Sequence, residues 1–268
     1  MGNSRSTSAG TWSRQRLAAV LGIGLVAALT LVAGLGIAIA QLLTATSRET
    51  TVAFRDTSSV GSDRRDQLAA LPMAAVPQDA GFAPDPALAS APPIRIPAAT
   101  NGRGPAAVAT GFPQTPEGAV GQLAAIEQSV LEAMSLPTTR EVHDAWALPD
   151  APTYDQWELT DDVASFLRSG RQGGQAKDAT TVVTATPAMA LVKGVDGPDW
   201  VVVCVLLDVQ VSIRTEARMG YGHCSRMQWA DRRWQIAPGA APAEAPSAWP
   251  GSVAAVSAGW LTWQEVAS

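Results

Sequence analysis

Two cysteines and two histidines in 268 residues leave few parts for metal or nucleophile chemistry. Cys204, Cys224, His143 and His223 reach the count of a zinc set, but no cysteine pair has the short spacing of structural zinc sites. No Gly-x-Ser-x-Gly, His-Glu-x-x-His or phosphate-loop pattern occurs, so most hydrolytic and nucleotide-dependent schemes lack components. The glycines of Ser169-Gly170-Arg171-Gln172-Gly173-Gly174 precede no helix start of the phosphate-cradling kind and read as a flexible loop. Repeats of solenoid period are absent, and nothing in the chain calls for a cofactor.

One stretch lacks charge altogether. Leu17 to Leu43 carries only two polar side chains, Thr30 and Gln41, and has no polar stripe of the kind a buried core helix shows. As a helix it would be roughly 40 Å long, enough to cross a hydrocarbon layer of about 30 Å with some tilt. It predicts a transmembrane helix over 17–43, preceded by a cytoplasmic tail over 1–16. A cleaved signal peptide is the rival reading, since Ala38-Ile39-Ala40 before Gln41 fits the cleavage pattern, but the apolar run is longer than a signal core. No cysteine stands near that site, which excludes a lipoprotein anchor. The Met1-Gly2-Asn3-Ser4-Arg5-Ser6 match to a myristoylation pattern is short and redundant beside a spanning helix. The tail holds Arg5, Arg14 and Arg16 and no acid, so the amino end stays inside and the rest is extracytoplasmic. That remainder has 16 basic residues against 24 acids, a net charge of −8, which offers no direct footprint for nucleic acid.

From 44 to 110 the chain becomes Ala/Pro/Gly-rich, as in Phe82-Ala83-Pro84-Asp85-Pro86 and Ala91-Pro92-Pro93, and predicts a disordered, semi-extended stalk with a helical turn at Gln67 to Leu71. An α+β domain is expected over 111–239, with helices packed on a curved antiparallel sheet. Thr115-Pro116-Glu117 opens a helix whose apolar face is Val120, Leu123, Ile126, Val130 and Met134, and Leu136-Pro137 stops it. Further helices are expected over Thr139 to Ala147 and from Thr160, where Asp161 and Asp162 offer a metal site or an acid–base pair but are explained more simply as complementing the dipole. Ala179 to Val192 is β-rich, with Pro187 marking an edge or bulge. Trp200 to Ile213 is the clearest strand: its odd positions form an unbroken apolar face, while its even positions end in Asp208, Gln210 and Ser212. Tyr221 to Trp229 and Arg233 to Ile236 complete a meander. The 240–268 segment is Ala/Pro-rich, with a final helix that sets Val253, Val256, Trp260 and Trp263 on one stripe. That stripe docks on its own domain or forms an interaction surface for a partner or membrane.

Cys204 and Cys224 share even parity on neighbouring strands, and in an oxidising compartment that makes a cross-strand disulfide plausible; the bland alternative is two half-buried thiols. His223 beside Cys224 is no nucleophile–base pair, because strand neighbours point to opposite faces, and it reads as a hydrogen-bonded core histidine. The one enzymatic arrangement left is a cavity using Tyr221 with a carboxylate such as Asp208, which falls on the wetter face.

Three blocks carry a family resemblance: Gly111-Phe112-Pro113-Gln114-Thr115-Pro116-Glu117-Gly118-Ala119, Gly220-Tyr221-Gly222-His223-Cys224, and Met227-Gln228-Trp229-Ala230-Asp231-Arg232-Arg233-Trp234. They resemble single-pass membrane proteins of Gram-positive integrative conjugative elements, and the last hairpin is similar to those of nuclear-transport-factor-2-like, cystatin-like cone domains. The resemblance spans Gly111 to Trp263. It implies a scaffold or assembly component of a type IV secretion-like channel, embedded in the membrane, partnered by other envelope proteins and by copies of itself. It transfers no catalytic residue. Arg232 stands where such hairpins often have Gly. The alternative is a cone domain that binds or isomerises a small molecule, and an open apolar pocket would favour it.

Overall fold

The computed structural model describes residues 57–82, 84, 91–170, 172–213 and 215–267. The predicted anchor over 17–43 lies outside the described residues, as do the tail and the start of the stalk. No described helix is long and apolar enough to cross a membrane.

The elements are helix α1 (Thr57–Ala70), strand β1 (Pro93–Pro97), helices α2 (Pro116–Ala133), α3 (Leu136–Trp146) and α4 (Glu158–Ser169), and strands β2 (Val182–Val195), β3 (Trp200–Ser212), β4 (Glu216–Ala230) and β5 (Arg233–Ile236). A five-residue helix α5 (Val253–Ser257) and strand β6 (Leu261–Val266) end the chain. The six strands form one curved half-barrel in the order β1-β6-β2-β3-β4-β5, with helices packed on it.

Helix α2 begins where Thr115 Oγ1 accepts from the Gly118 amide at 3.0 Å, with Pro116 in the first turn, and ends at Met134 in the left-handed region. Its buried face (Val120, Leu123, Ile126 and Val130) packs on the odd positions of β3: Val201, Val203, Val205, Leu207 and Val209. Each of these buried side chains contributes roughly 1.5–3 kcal/mol. Leu136-Pro137, expected to stop a helix, instead opens α3, because Ser135 accepts from the Thr138 amide and proline is tolerated in a first turn. Helix α4 starts two residues before the expected Thr160, at Glu158.

Two larger expectations are corrected. The stalk predicted over 44–110 contains α1 and β1 in its described part. Pro93-Ile94-Arg95-Ile96-Pro97 alternates, Ile94 and Ile96 are buried, and the prolines fall at the ends of an edge strand, where missing donors cost little. Its partner is β6, paired in parallel from Pro93↔Thr262 to Pro97↔Val266. The helix expected to carry Val253, Val256, Trp260 and Trp263 on one stripe ends at Ser257, because Gly259 takes φ +95° and turns the chain into β6. Trp260 is buried, its indole donating to Pro246 O at 3.2 Å, whereas Trp263 lies half-buried in β6 and Val253 and Val256 are half-buried on α5.

Even positions of the sheet face a second core. Cys204, Leu206 and Cys224 pack with Met189 and with small residues of the Ala/Pro-rich segments, among them Ala80, Ala91, Ala245, Ala248, Ala255 and Ala258. Farther along, Thr184, Thr186, Ser212 and Glu216 remain exposed, so the second face becomes wet toward the hairpin tip. Pro187 sits on the β6-facing edge of β2, next to a bulge. Beside it the edge of Ala185 is capped by helix side chains, Gln128 Nε2 donating to its carbonyl at 2.7 Å and Glu132 Oε1 accepting from its amide at 3.2 Å. That covering removes a sticky edge.

The β4–β5 turn places Asp231 at φ 50° and Arg232 at φ 60°, the mirror-image turn of two-residue hairpins. Arg232→Gly removes a side chain from the left-handed region and is expected to raise stability by about 0.5–1 kcal/mol, read as a higher urea midpoint with an unchanged slope.

Candidate functional site

Strand parity builds the site. In Gly220-Tyr221-Gly222-His223-Cys224 the odd residues project onto the helical layer and the even residues onto the second core. Gly220 and Gly222 have no side chain because the backbone of Pro246 to Ala248 lies directly on them: a Cβ at Gly220 would stand 1.8 Å from Ala248 O. Cys204 and Cys224 are directly opposed in the β3–β4 ladder and joined as a disulfide, their Cα atoms 4.0 Å apart. Its closed loop contributes on the order of 3 kcal/mol by chain-entropy arguments. Changing both to Ser is expected to lower the melting temperature while leaving the far-UV spectrum intact.

On the helical side, His223 Nδ1 meets Glu127 Oε1 of α2 at 2.7 Å, and both residues are buried. His223 Nε2 stands 3.6 Å from Glu158 Oε2 at the start of α4. One turn along, Asp162 Oδ2 accepts from the Tyr221 hydroxyl at 2.6 Å, and the Tyr221 and His223 rings stack at 6.4 Å between centroids. Burial opposes a charge on His223, yet Glu127, Glu158 and Asp162 outweigh it and hold the imidazole pKa up at about 9. Burial also raises the pKa of Glu127, Glu158 and Asp162, with His223 pulling each back down. Tyr221 is pushed well above its ordinary value by burial and by Asp162. The cluster is therefore an imidazolium held among carboxylates on two helices, with a phenol as a second donor.

Glu127 and His223 are buried, while Glu158 reaches solvent with its side chain 45% exposed. The crevice beside the cluster, lined by Gln156, Trp157, Glu158, His223 and Arg226 among others, has a volume of about 30 Å³, room for one water. Chemically, such an arrangement holds a proton and fixes α2 and α4 to the sheet.

The residues weighed for other chemistry are dispersed. Asp208 does not join Tyr221: it pairs with Arg218, whose Nε donates to Oδ1 at 2.6 Å on the opposite face, and Asp162 takes the place beside the phenol. His143 Nε2 contacts Pro152 O at 2.8 Å, on a different helix from the cluster. Both sulfurs are bonded to each other, and among the described residues no group of His, Cys, Asp or Glu is disposed to hold a metal. Glu127 was not singled out from sequence. Its signal was present: four residues after Leu123 and three before Val130, it puts a carboxylate on the apolar stripe of α2.

The fold and cluster define an α+β half-barrel wrapped on a helix, with a buried Glu127–His223 pair at the heart of an ion cluster between sheet and helices. Compared with known protein families, curated proteins and solved structures, the chain matches none.

Proposed function

We propose that the chain is a membrane-anchored, extracytoplasmic scaffold, an assembly component of an envelope machine of the conjugative, type IV secretion-like kind, working with other membrane proteins and further copies of itself. One observation carries this reading over the small-molecule alternative: the two donors of the cluster are already spent, His223 Nδ1 on Glu127 and the Tyr221 hydroxyl on Asp162, and the crevice beside them has room for one water. A ligand site keeps polar groups free for its ligand and a cavity to hold it. The uncharged run from Leu17 to Leu43 supplies the anchor, and the arginines before it the orientation.

Photo-crosslinking in cells from Val182, which is 56% exposed at the sheet's wet end, tests the reading. Adducts with envelope proteins or with a second copy support it. Recovery of the chain as an uncrosslinked soluble monomer in the cytoplasm overturns it. A reporter active only outside the cytoplasm, fused after Ser268, is expected to be active.

A further inference from the structure

Helix α1 rests on the sheet in an unusual way for a helix in a folded domain. Its sequence, Thr-Ser-Ser-Val-Gly-Ser-Asp-Arg-Arg-Asp-Gln-Leu-Ala-Ala, has no apolar stripe and is poor in strong helix formers at its start, so it would not stay helical alone. Charges hold it instead. Arg65 Nε donates to Asp196 Oδ2 at 2.7 Å, with its guanidinium 5.3 Å over the Trp200 ring, and Arg64 stands 3.5 Å from the same aspartate. Asp66 Oδ1 accepts from Arg226 at 2.6 Å, and Lys193 Nζ donates to the Ala69 carbonyl at the helix end at 2.9 Å. The apolar part of the contact is small: Leu68 and Ala69 against Trp200, Val202 and Ala237. Leu68 lies over Gly194, where an added Cβ would stand 3.3 Å from the Leu68 Cβ. Pro72 follows at once, a natural hinge before the segment that covers the second core.

We propose that α1 is a salt-sensitive latch that sets how far the domain reaches from its anchor. This rests on the membrane-anchor reading, because α1 is the first described element after the run at 17–43. Docked, its 14 residues span roughly 21 Å as a helix; released and extended, they span up to about 46–50 Å. Each of these pairs keeps one partner in solvent (Arg64, Arg65, Asp66) and one against the sheet (Asp196, Arg226), so salt reaches it from the exposed side, and with so small an apolar contact release is within thermal reach while the half-barrel stays folded. Release uncovers Trp200, Val202 and the buried Arg226 as a strip on the sheet.

The test is a Leu68→Cys/Gly194→Cys variant of the full chain in native membranes. The Cβ separation is a few tenths of an ångström short of the disulfide range, a shift the docked helix can supply, and bond formation reports the docked state as a gel-mobility shift. Trapping is expected to be fast at low salt and roughly tenfold slower at 1 M NaCl, or after adding Arg65→Ala and Asp66→Ala. Trypsin cleavage at Arg64 and Arg65 in the unmodified chain should accelerate in parallel, with the near-UV spectrum unchanged. Energy transfer from a label on the domain to a bilayer dye should rise when the cross-link is locked. Trapping indifferent to both salt and charge removal overturns the latch, as does α1 release only together with global unfolding. Normal trapping with the chain in the soluble fraction overturns the anchor and the reach while sparing the docking equilibrium.

Discussion

His223→Leu is expected to lower stability at neutral pH by about 3–5 kcal/mol, because it leaves the Glu127 carboxylate buried with neither oxygen partnered. Glu127 Oε2 already lacks a hydrogen-bond partner, so Nδ1 of His223 is what keeps that charge tolerable. Changing both residues to Leu should restore most of the loss, since an apolar pair of similar size avoids the desolvation of two ions. Urea unfolding of the purified chain measures all three proteins. A single variant within 1 kcal/mol of wild type would mean that Glu127 is protonated throughout, and the ion pair would be absent.

The same cluster sets a pH dependence opposite to that of most salt-bridged domains. His223 titrates near 9 when folded and at about 6.5 unfolded, so its stabilisation is complete below the lower value and is lost as pH rises through about 9. Glu127, Glu158 and Asp162 are also raised, so the folded state holds their protons more tightly and they too favour the fold as pH falls. The denaturant midpoint should therefore decline steadily from pH 5 to pH 10, and in the His223→Leu variant the step near 9 should vanish.

Gly220→Val is expected to be the most disruptive single change on the other face. Even the first carbon of a side chain would overlap Ala248 O and stand 2.7 Å from its carbonyl carbon. Both atoms are backbone, in a segment tied by Trp249 N to Ala80 O at 2.7 Å and by the Ser247 hydroxyl to Gly222 N at 3.1 Å. The segment must lift, exposing Leu206 and the disulfide, at a cost on the order of 4 kcal/mol. Red-shifted emission from Trp249 and Trp260 reports the lifting. Gly173→Ala, where an added carbon meets nothing within 4 Å, is the matched control and should be close to neutral.

Strand parity made half of this architecture readable. In the Gly220 to Cys224 block, alternation alone separates Tyr221 and His223 from the disulfide face, and the even parity of Cys204 and Cys224 matches their ladder positions. The helical partners were harder to see, because Glu127 and Asp162 look like ordinary carboxylates until the helices are placed on the sheet. The Ala/Pro-rich segments misled most. Small residues bury little area each, which reads as stalk or tail. Against Gly220 and Gly222 smallness is what permits backbone-to-sheet contact, so Ala245 and Ala248 are core. Strand β1 was invisible for a different reason: its partner is β6, at the other end of the chain.

That pairing also governs when the domain can be completed. The rung that joins Pro97 to Val266 needs residues synthesised long after β1 itself. Until then β1 waits without a neighbour and β2 lacks the short pairing it makes with β6 at Met189 and Ala190. A contact spanning so much sequence forms late and slowly, since loop-closure entropy must be overcome before the pairing rewards it. Truncation before Leu261 therefore arrests maturation at a species with an open sheet edge, the form of this chain most exposed to proteolysis and to self-association.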